Sequence, residues 1–260
     1  MISFGTVSSR RPGKSLGINN IISPKTCSYS CIYCLIGNTT IKTIKRKQFF
    51  LSDIIYRDVE KHIKKLSLNN YPDYLTFVSN GESKLDINPG QSIALIKKFG
   101  TPVAMFTNSS LLFTKTVRDE LQYADYVSIK MDAGDNTIGH EINLPARGLN
   151  YDKIINGIML FASEFKGILC TETMIDKGVN DSSDNFSNLA RLIKRINPRK
   201  AYLAIPTRPP AVKSLKPPDE EQLNLAWHIF NNKHINTEFL TSFEGIPTGI
   251  QAIFMKILST

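Results

Sequence analysis

Short runs rich in branched and aromatic residues alternate with longer amphipathic stretches six times along the chain, and this leaves few architectures open. The runs fall at 15–22, 74–79, 103–107, 126–131, 168–174 and 201–205, and the amphipathic stretches at 52–66, 90–99, 115–123, 151–165, 183–196 and 219–230. Most of the runs lack polar alternation, as strands covered on both faces do. Stretch 151–165 carries Ile154, Ile155, Ile158, Met159 and Phe161 on one side, a stripe that faces a sheet. Strand–helix units repeated in this way build a parallel sheet with helices outside it. A full eight-unit barrel takes about 250 residues by itself. Six units with a long loop after the first strand predict an α/β fold of partial (β/α)6 TIM-like barrel type. Residues 1–215 are expected to form this core, and 216–260 a helix and strand extension that packs on it. The Pro-rich stretch 206–218, with Arg208-Pro209-Pro210, follows the sixth strand, where barrel enzymes place functional loops.

Hydrophobic residues make up 42% of the 260, enough for a sizeable core. No apolar run approaches the roughly 18–20 residues of a membrane helix. No apolar segment follows Arg10 and Arg11 as it would in a secretory leader, so a cytoplasmic location is expected. The net charge of +9 favours anionic partners such as nucleic acid or phosphorylated small molecules, with a solvated basic surface as the plain alternative. Part of the excess is clustered, at Arg10, Arg11 and Lys14 and again at Lys42, Lys45, Arg46 and Lys47.

Three of the four cysteines, Cys27, Cys31 and Cys34, stand as CxxxCxxC in the loop after the first strand. A disulfide scaffold suits a short secreted chain, not one of this length. Three thiolates so close can wrap three corners of a cuboidal iron–sulfur cluster. A structural zinc site wants four closed ligands, and no Asp, Glu, His or further Cys lies between 21 and 40. A three-cysteine cluster leaves one iron open to a chelating ligand. Elsewhere, Asn80-Gly81-Glu82-Ser83 follows the second strand and Thr107-Asn108-Ser109 ends the third. Ser128, Lys130 and Asp132 alternate along the fourth strand and its exit, so they share a face. If that face is the interior, Lys130 needs an anionic partner, either a ligand or Asp132 or Glu172. On the fifth strand Thr171 and Thr173 point away from Cys170 and Glu172, so only one pair faces inward.

On these residues the chain resembles the radical S-adenosylmethionine (SAM) superfamily. The resemblance implies that Cys27, Cys31 and Cys34 are the catalytic cysteines, ligating a [4Fe–4S] cluster whose open iron binds SAM. Reductive cleavage of SAM then gives a 5′-deoxyadenosyl radical that takes hydrogen from the substrate, with the electron coming from a flavodoxin- or ferredoxin-like donor. It further implies that Tyr33 packs near the adenine. Gly81 and Glu82 look like the family's GGE motif, which holds the SAM amino group; Asn80 replaces its first glycine, and because Asn tolerates a left-handed conformation better than most residues, the turn can survive the replacement. Asn108, in a turn similar to the family's TNG, joins Ser128 and Lys130 as contacts to the SAM carboxylate or ribose. Cys170 reads as a small buried hydrophobe, or more sharply as a radical-quenching thiol.

The phrase GTVSSRRPGKSLGIN at 5–19, Pro24-Lys25-Thr26, Gly81-Glu82 and Arg208-Pro209-Pro210 resemble small archaeal and bacterial radical SAM proteins related to wyosine-synthesising tRNA enzymes. That likeness covers about 5–212 and implies an anionic substrate such as a tRNA base, with Arg10, Arg11, Lys14 and Arg208 as candidate grips. Wyosine enzymes carry further cysteines for a second cluster, which this chain lacks, so a distinct substrate is expected. Two other readings stay open. One is a glycyl-radical-enzyme activase, which uses the same cysteine spacing on a compact partial barrel. The other is a non-catalytic metal- or cluster-bearing nucleic-acid-binding module, which needs a fourth ligand and leaves Gly81-Glu82 unexplained.

Overall fold

The computed structural model describes residues 1–9, 11 and 13–240. Strands β1 (Ser3–Ser9) and β2 (Gly13–Ile18) form an antiparallel hairpin. Two-residue strands β3 (Thr26–Cys27) and β4 (Ile41–Lys42) pair with each other beside the main sheet. That sheet continues through β5 (Tyr74–Phe77), β6 (Val103–Thr107), β7 (Tyr126–Lys130), β8 (Ile168–Met174), β9 (Lys200–Ala204) and β10 (Thr237–Leu240). From β2 onward every pairing in the sheet is parallel, and the sheet curls into a half-barrel. The helices are α1 (Ser52–Ile63), α2 (Pro89–Ile96), α3 (Lys115–Leu121), α4 (Asn136–Asn143), α5 (Tyr151–Glu164), α6 (Ser183–Ile196) and α7 (Glu220–Asn231). No described helix is long and apolar enough to cross a membrane.

The six expected strands are β2 and β5 to β9; β6 and β8 keep the expected bounds, and the other four shift at one or both ends by one to four residues. Sequence reasoning passed over β1, whose mixed pattern of half-buried and exposed positions gives no apolar run, and α4, whose eight residues include Gly139. Within the expected extension, α7 and β10 pack on the barrel, and β10 adds a seventh parallel strand through Thr237↔Ala201. Residues 241–260 lie outside the described residues.

Local chemistry fixes the helix ends. Ser182 caps α6 by accepting from the Asn185 N–H, and the helix stops where Asn197 turns left-handed at φ 51°. Asp219 and Gln222 form a reciprocal capping box on α7. Phe161, Phe186 and Phe230 from α5, α6 and α7 are fully buried in one apolar cluster with Phe77, Val127 and Leu203 of the sheet. Each such phenyl ring removed from water contributes about 2 kcal/mol. The concave face forms a second, smaller cluster in which Tyr126, Cys170, Met174 and Tyr202 meet Tyr33, Tyr74 and Phe106. Alternation along β8 therefore turns Cys170, Glu172 and Met174 inward and Thr171 and Thr173 toward the helices.

Candidate active site

The cysteine loop leaves the barrel at the end of β2 and is fastened to the sheet at three places. First, β3 meets the Gly81 turn: Thr26 N–H donates to the Asn80 carbonyl (3.3 Å), and Glu82 N–H donates to the Thr26 carbonyl (3.2 Å). Second, α4 lies beneath the loop, its last residues accepting from Ser30 N–H at Asn143 O (2.9 Å) and from Ile32 N–H at Ile142 O (3.0 Å). Third, the Tyr33 hydroxyl donates to Asp132 Oδ2 at 2.5 Å, just past β7.

Gly81 carries φ +142°, a region that side-chain-bearing residues avoid, and a Cβ there would stand 1.7 Å from the Thr26 carbonyl oxygen. The turn forms with Asn80 in place, and Asn80 does not need the left-handed conformation that asparagine tolerates; the turn places the whole conformational burden on Gly81. In the second turn it is Ser109 that adopts the left-handed conformation, at φ 70°, and its hydroxyl donates to the Lys130 carbonyl (3.0 Å).

The turns at the ends of β5 and β6 converge on Glu82. Its carboxylate is buried; Oε1 accepts from Thr107 Oγ1 (2.8 Å) and Lys84 N–H (3.0 Å), and Oε2 from Asn108 N–H (2.7 Å). Burial nevertheless outweighs these donors and raises its pKa. Lys84 is fully buried behind it, with Nζ lacking a hydrogen-bond partner. Burial pulls that amine down to about 8, against the opposing fields of Glu82 and Glu120. The Asn108 side chain then bridges to the cysteine loop, donating from Nδ2 to Ser28 Oγ (2.9 Å) and Cys27 Sγ (3.5 Å).

Cys27 is buried, and Cys31 and Cys34 are half-buried. Burial and then the charge of Glu82 push the Cys27 thiol up to about 11; burial and then Asp132 push Cys31 further in the same direction. Thiols so disfavoured as anions ionise when a metal takes the place of the proton. Lys25 Nζ donates to Cys34 Sγ (3.0 Å) and to Gly37 O (2.5 Å), and the Cys31 thiol faces Asn143 Oδ1 at 3.3 Å. Among the described residues, no three His, Cys, Asp or Glu side chains converge closely enough for one ion, whose thiolates would sit about 2.3 Å from it. Three cysteines on one loop, met by donors from Lys25 and Asn108, suit a polynuclear iron–sulfur cluster.

Lys130 reaches into the half-barrel, where its ammonium pairs with Asp132 and Glu172, each at 3.2 Å, and lies 4.7 Å from the centre of the Tyr33 ring. Ser128 is buried one step below. Arg11 comes in from the β1–β2 turn, pairs with Glu172, and rests its guanidinium 4.2 Å from the centre of the Phe106 ring.

The sequence profile of the radical SAM superfamily matches residues 21–193, spanning the cysteine loop and the units through α6. The chain belongs to the radical SAM superfamily. This radical SAM protein is 44% identical over 230 residues to the UPF0026 protein MJ1312 of Methanocaldococcus jannaschii, covering 88% of this chain and 71% of that one. It also shares its fold with a radical SAM methyltransferase from Sphaerobacter thermophilus (TM-score 0.63, 15% identity, 88% of this chain and 67% of that one). A structure of TYW1 with a lysine-pyruvate adduct bound matches with TM-score 0.59 and 17% identity, over 84% of this chain and 73% of that one. The likeness to TYW1 is one of fold. Membership makes the protein an enzyme and implies SAM and an iron–sulfur cluster as its cofactors.

The structure thus brings Cys27, Cys31, Cys34, Tyr33, Gly81, Glu82, Asn108 and Lys130 to one end of the half-barrel, with Ser128 just inside. The four candidate substrate grips are not brought together. Arg11 is inside the half-barrel, Lys14 donates to the Asn69 carbonyl (2.8 Å) at the opposite end of β2, and Arg208 is exposed after β9. Arg10 lies outside the described residues. Sequence reasoning gave no role to Lys25, Thr107, Lys84 or Asn143. Lys25 carried a signal, standing two residues before Cys27; the others become visible only once the turns are folded together.

Proposed function

We propose that the protein is a radical SAM enzyme in which Cys27, Cys31 and Cys34 hold a [4Fe–4S] cluster and Glu82 receives the amino group of SAM. The observation that carries this reading is the Glu82–Asn108–Cys27 connection, which ties a buried carboxylate directly to the cysteine loop. Bound there, the cofactors supply a 5′-deoxyadenosyl radical able to abstract hydrogen. The chain's own residues do the positioning. Glu82, burdened by burial, gains from an ammonium partner. Gly81 lets the turn approach β3. Asn108, Ser128 and Lys130 offer polar contacts to the rest of SAM, and Tyr33 offers an aromatic face. The apolar and aromatic lining of the concave face keeps water away from a species that would attack it.

Anaerobic reconstitution with iron and sulfide tests this, followed by reduction with dithionite and assay of 5′-deoxyadenosine. The wild type is expected to take up about four irons and cleave SAM, and Cys31→Ala to do neither. Bound zinc, or equal SAM cleavage by Cys31→Ala, overturns the reading.

Within it, the substrate is anionic, and a tRNA base is the favoured form. Support comes from the +9 charge and the fold shared with TYW1. Binding of bulk tRNA is then expected to fall at least ~10-fold between 50 and 200 mM salt; absent or salt-independent binding removes RNA as the substrate.

A further inference from the structure

A lysine is seldom buried unless an anion answers it. Among the described residues the buried cations are Lys25, Lys84 and Arg118. Arg118 pairs with Glu164, and Lys84 lies in the fields of Glu82 and Glu120. Lys25, only 8% exposed, forms no ion pair with a described carboxylate. Its own stretch of chain supplies none, since the first acidic residue is Asp53. The Lys25 ammonium goes instead to Cys34 Sγ at 3.0 Å and to the Gly37 carbonyl at 2.5 Å.

The backbone fixes where that ammonium starts from. Lys25 stands immediately before β3; its carbonyl accepts from Ile41 N–H (3.0 Å), and the neighbouring Thr26 N–H donates to the Asn80 carbonyl. From there the side chain reaches the turn after Cys34, which Gly37 N–H closes by donating back to the Cys34 carbonyl (3.1 Å). A neutral donor would satisfy the Gly37 carbonyl without the desolvation that burying a charge costs. What an ammonium adds is a field on the sulfur. The other two cysteines meet no charged donor: Cys27 has the amide of Asn108, and Cys31 faces the amide oxygen of Asn143.

We propose that Lys25 is a positioning residue that acts through Cys34 to raise the reduction potential of the centre held by the three cysteines. The inference rests on the cluster assignment above and adds what answers the charge of Lys25. When a one-electron reductant gives up its electron, the reductant is oxidised by one equivalent and the centre gains one negative charge; no bond forms or breaks. A hydrogen bond from a buried ammonium to a ligating sulfur is charge-assisted, and it strengthens as the sulfur becomes more negative. It therefore stabilises the reduced state over the oxidised one, and the potentials of such centres follow the hydrogen bonds to their sulfurs and the charge around them. Lys25 thus makes the centre easier to reduce, and the centre in turn supplies the anion that a buried lysine needs.

The test is a redox titration of the reconstituted protein with dithionite, followed by electron paramagnetic resonance in the absence of SAM, with iron content and denaturation midpoint measured alongside. Lys25→Met fills similar space without the charge. It is expected to keep its iron and to make reduction ~10-fold less favourable, a fall of about 59 mV for one electron. Lys25→Arg keeps the charge and the donors and is expected to titrate close to wild type. Should Lys25→Met take up no iron, Lys25→Gln, which can still donate to Gly37, takes its place with the same expected fall. Wild type that binds no iron, or binds zinc, sinks the cluster reading itself. A cluster with one potential in wild type and in the uncharged variants overturns the role of Lys25 alone and leaves it a tether of the Gly37 turn. So does a Lys25→Arg protein that shifts as far as Lys25→Met or holds no cluster, because charge is then not what matters. If neither uncharged variant holds iron, Lys25 builds the site rather than tuning it, and the proposal falls.

Discussion

Gly81→Ala is expected to uncouple the two halves of the site. A methyl group cannot stand 1.7 Å from the Thr26 carbonyl, and φ +142° resists any side chain, so the bridge between β3 and the Gly81 turn must open. Two backbone hydrogen bonds go with it, the ones that hold Glu82 in register with Cys27. Lost hydrogen bonds at ~1 kcal/mol each and the backbone strain together place the cost at about 3 kcal/mol. Chemical denaturation should show a lower midpoint, and iron uptake and SAM affinity should both fall, because Cys27 and Glu82 move apart together. Glu82→Gln is the milder companion: it keeps the turn and the iron but weakens SAM. A Gly81→Ala protein with wild-type midpoint and SAM affinity, or a Glu82→Gln protein with unchanged affinity in an anaerobic titration, would remove this turn from the site.

Asp176, just past β8, is expected to give stability an unusual pH dependence. Both carboxyl oxygens are buried without hydrogen-bond partners. Burial first and the charge of Asp132 second raise its pKa to about 7, against the pull of Lys130. Unfolded, the group loses its proton near pH 4. Between there and about pH 7 the folded chain keeps a proton that the unfolded chain has released, so stability declines as pH rises through this window and levels off above it. Three pKa units correspond to a loss of up to about 4 kcal/mol. Asp176→Asn should match wild type near pH 4 and exceed it by about 2–4 kcal/mol at pH 8. Denaturation midpoints at both values check this; parallel curves for the two proteins would show that the carboxyl is not held protonated.

The sheet was legible in the sequence because its strands are short, apolar on both faces and separated by amphipathic helices of ordinary length. Its edges were not. β1 shows no apolar run, and α4 is short, so the element that caps the cysteine loop from below gave only the weak signal of Asp135 at its N-cap. The cysteines and Glu82 could be read from spacing and turn position, since their chemistry depends on chain-local geometry. For Lys130 the sequence offered three partners, a ligand, Asp132 or Glu172, without deciding among them. Alternation placed it on a face, yet only the folded sheet sets Asp132 and Glu172 both within 3.2 Å of it. Arg11 shows the same limit more strongly: a turn residue that reads as a surface charge ends up pairing with a residue 161 positions away.

That pairing has a consequence for what the protein can accept. From Arg11 through Glu172 and Lys130 to Asp132, two cations alternate with two carboxylates along the inner wall. The row is electrically self-satisfied, so a newcomer meets no surplus of either sign there. An ionic group pushed among these four must part an existing couple and bear the loss.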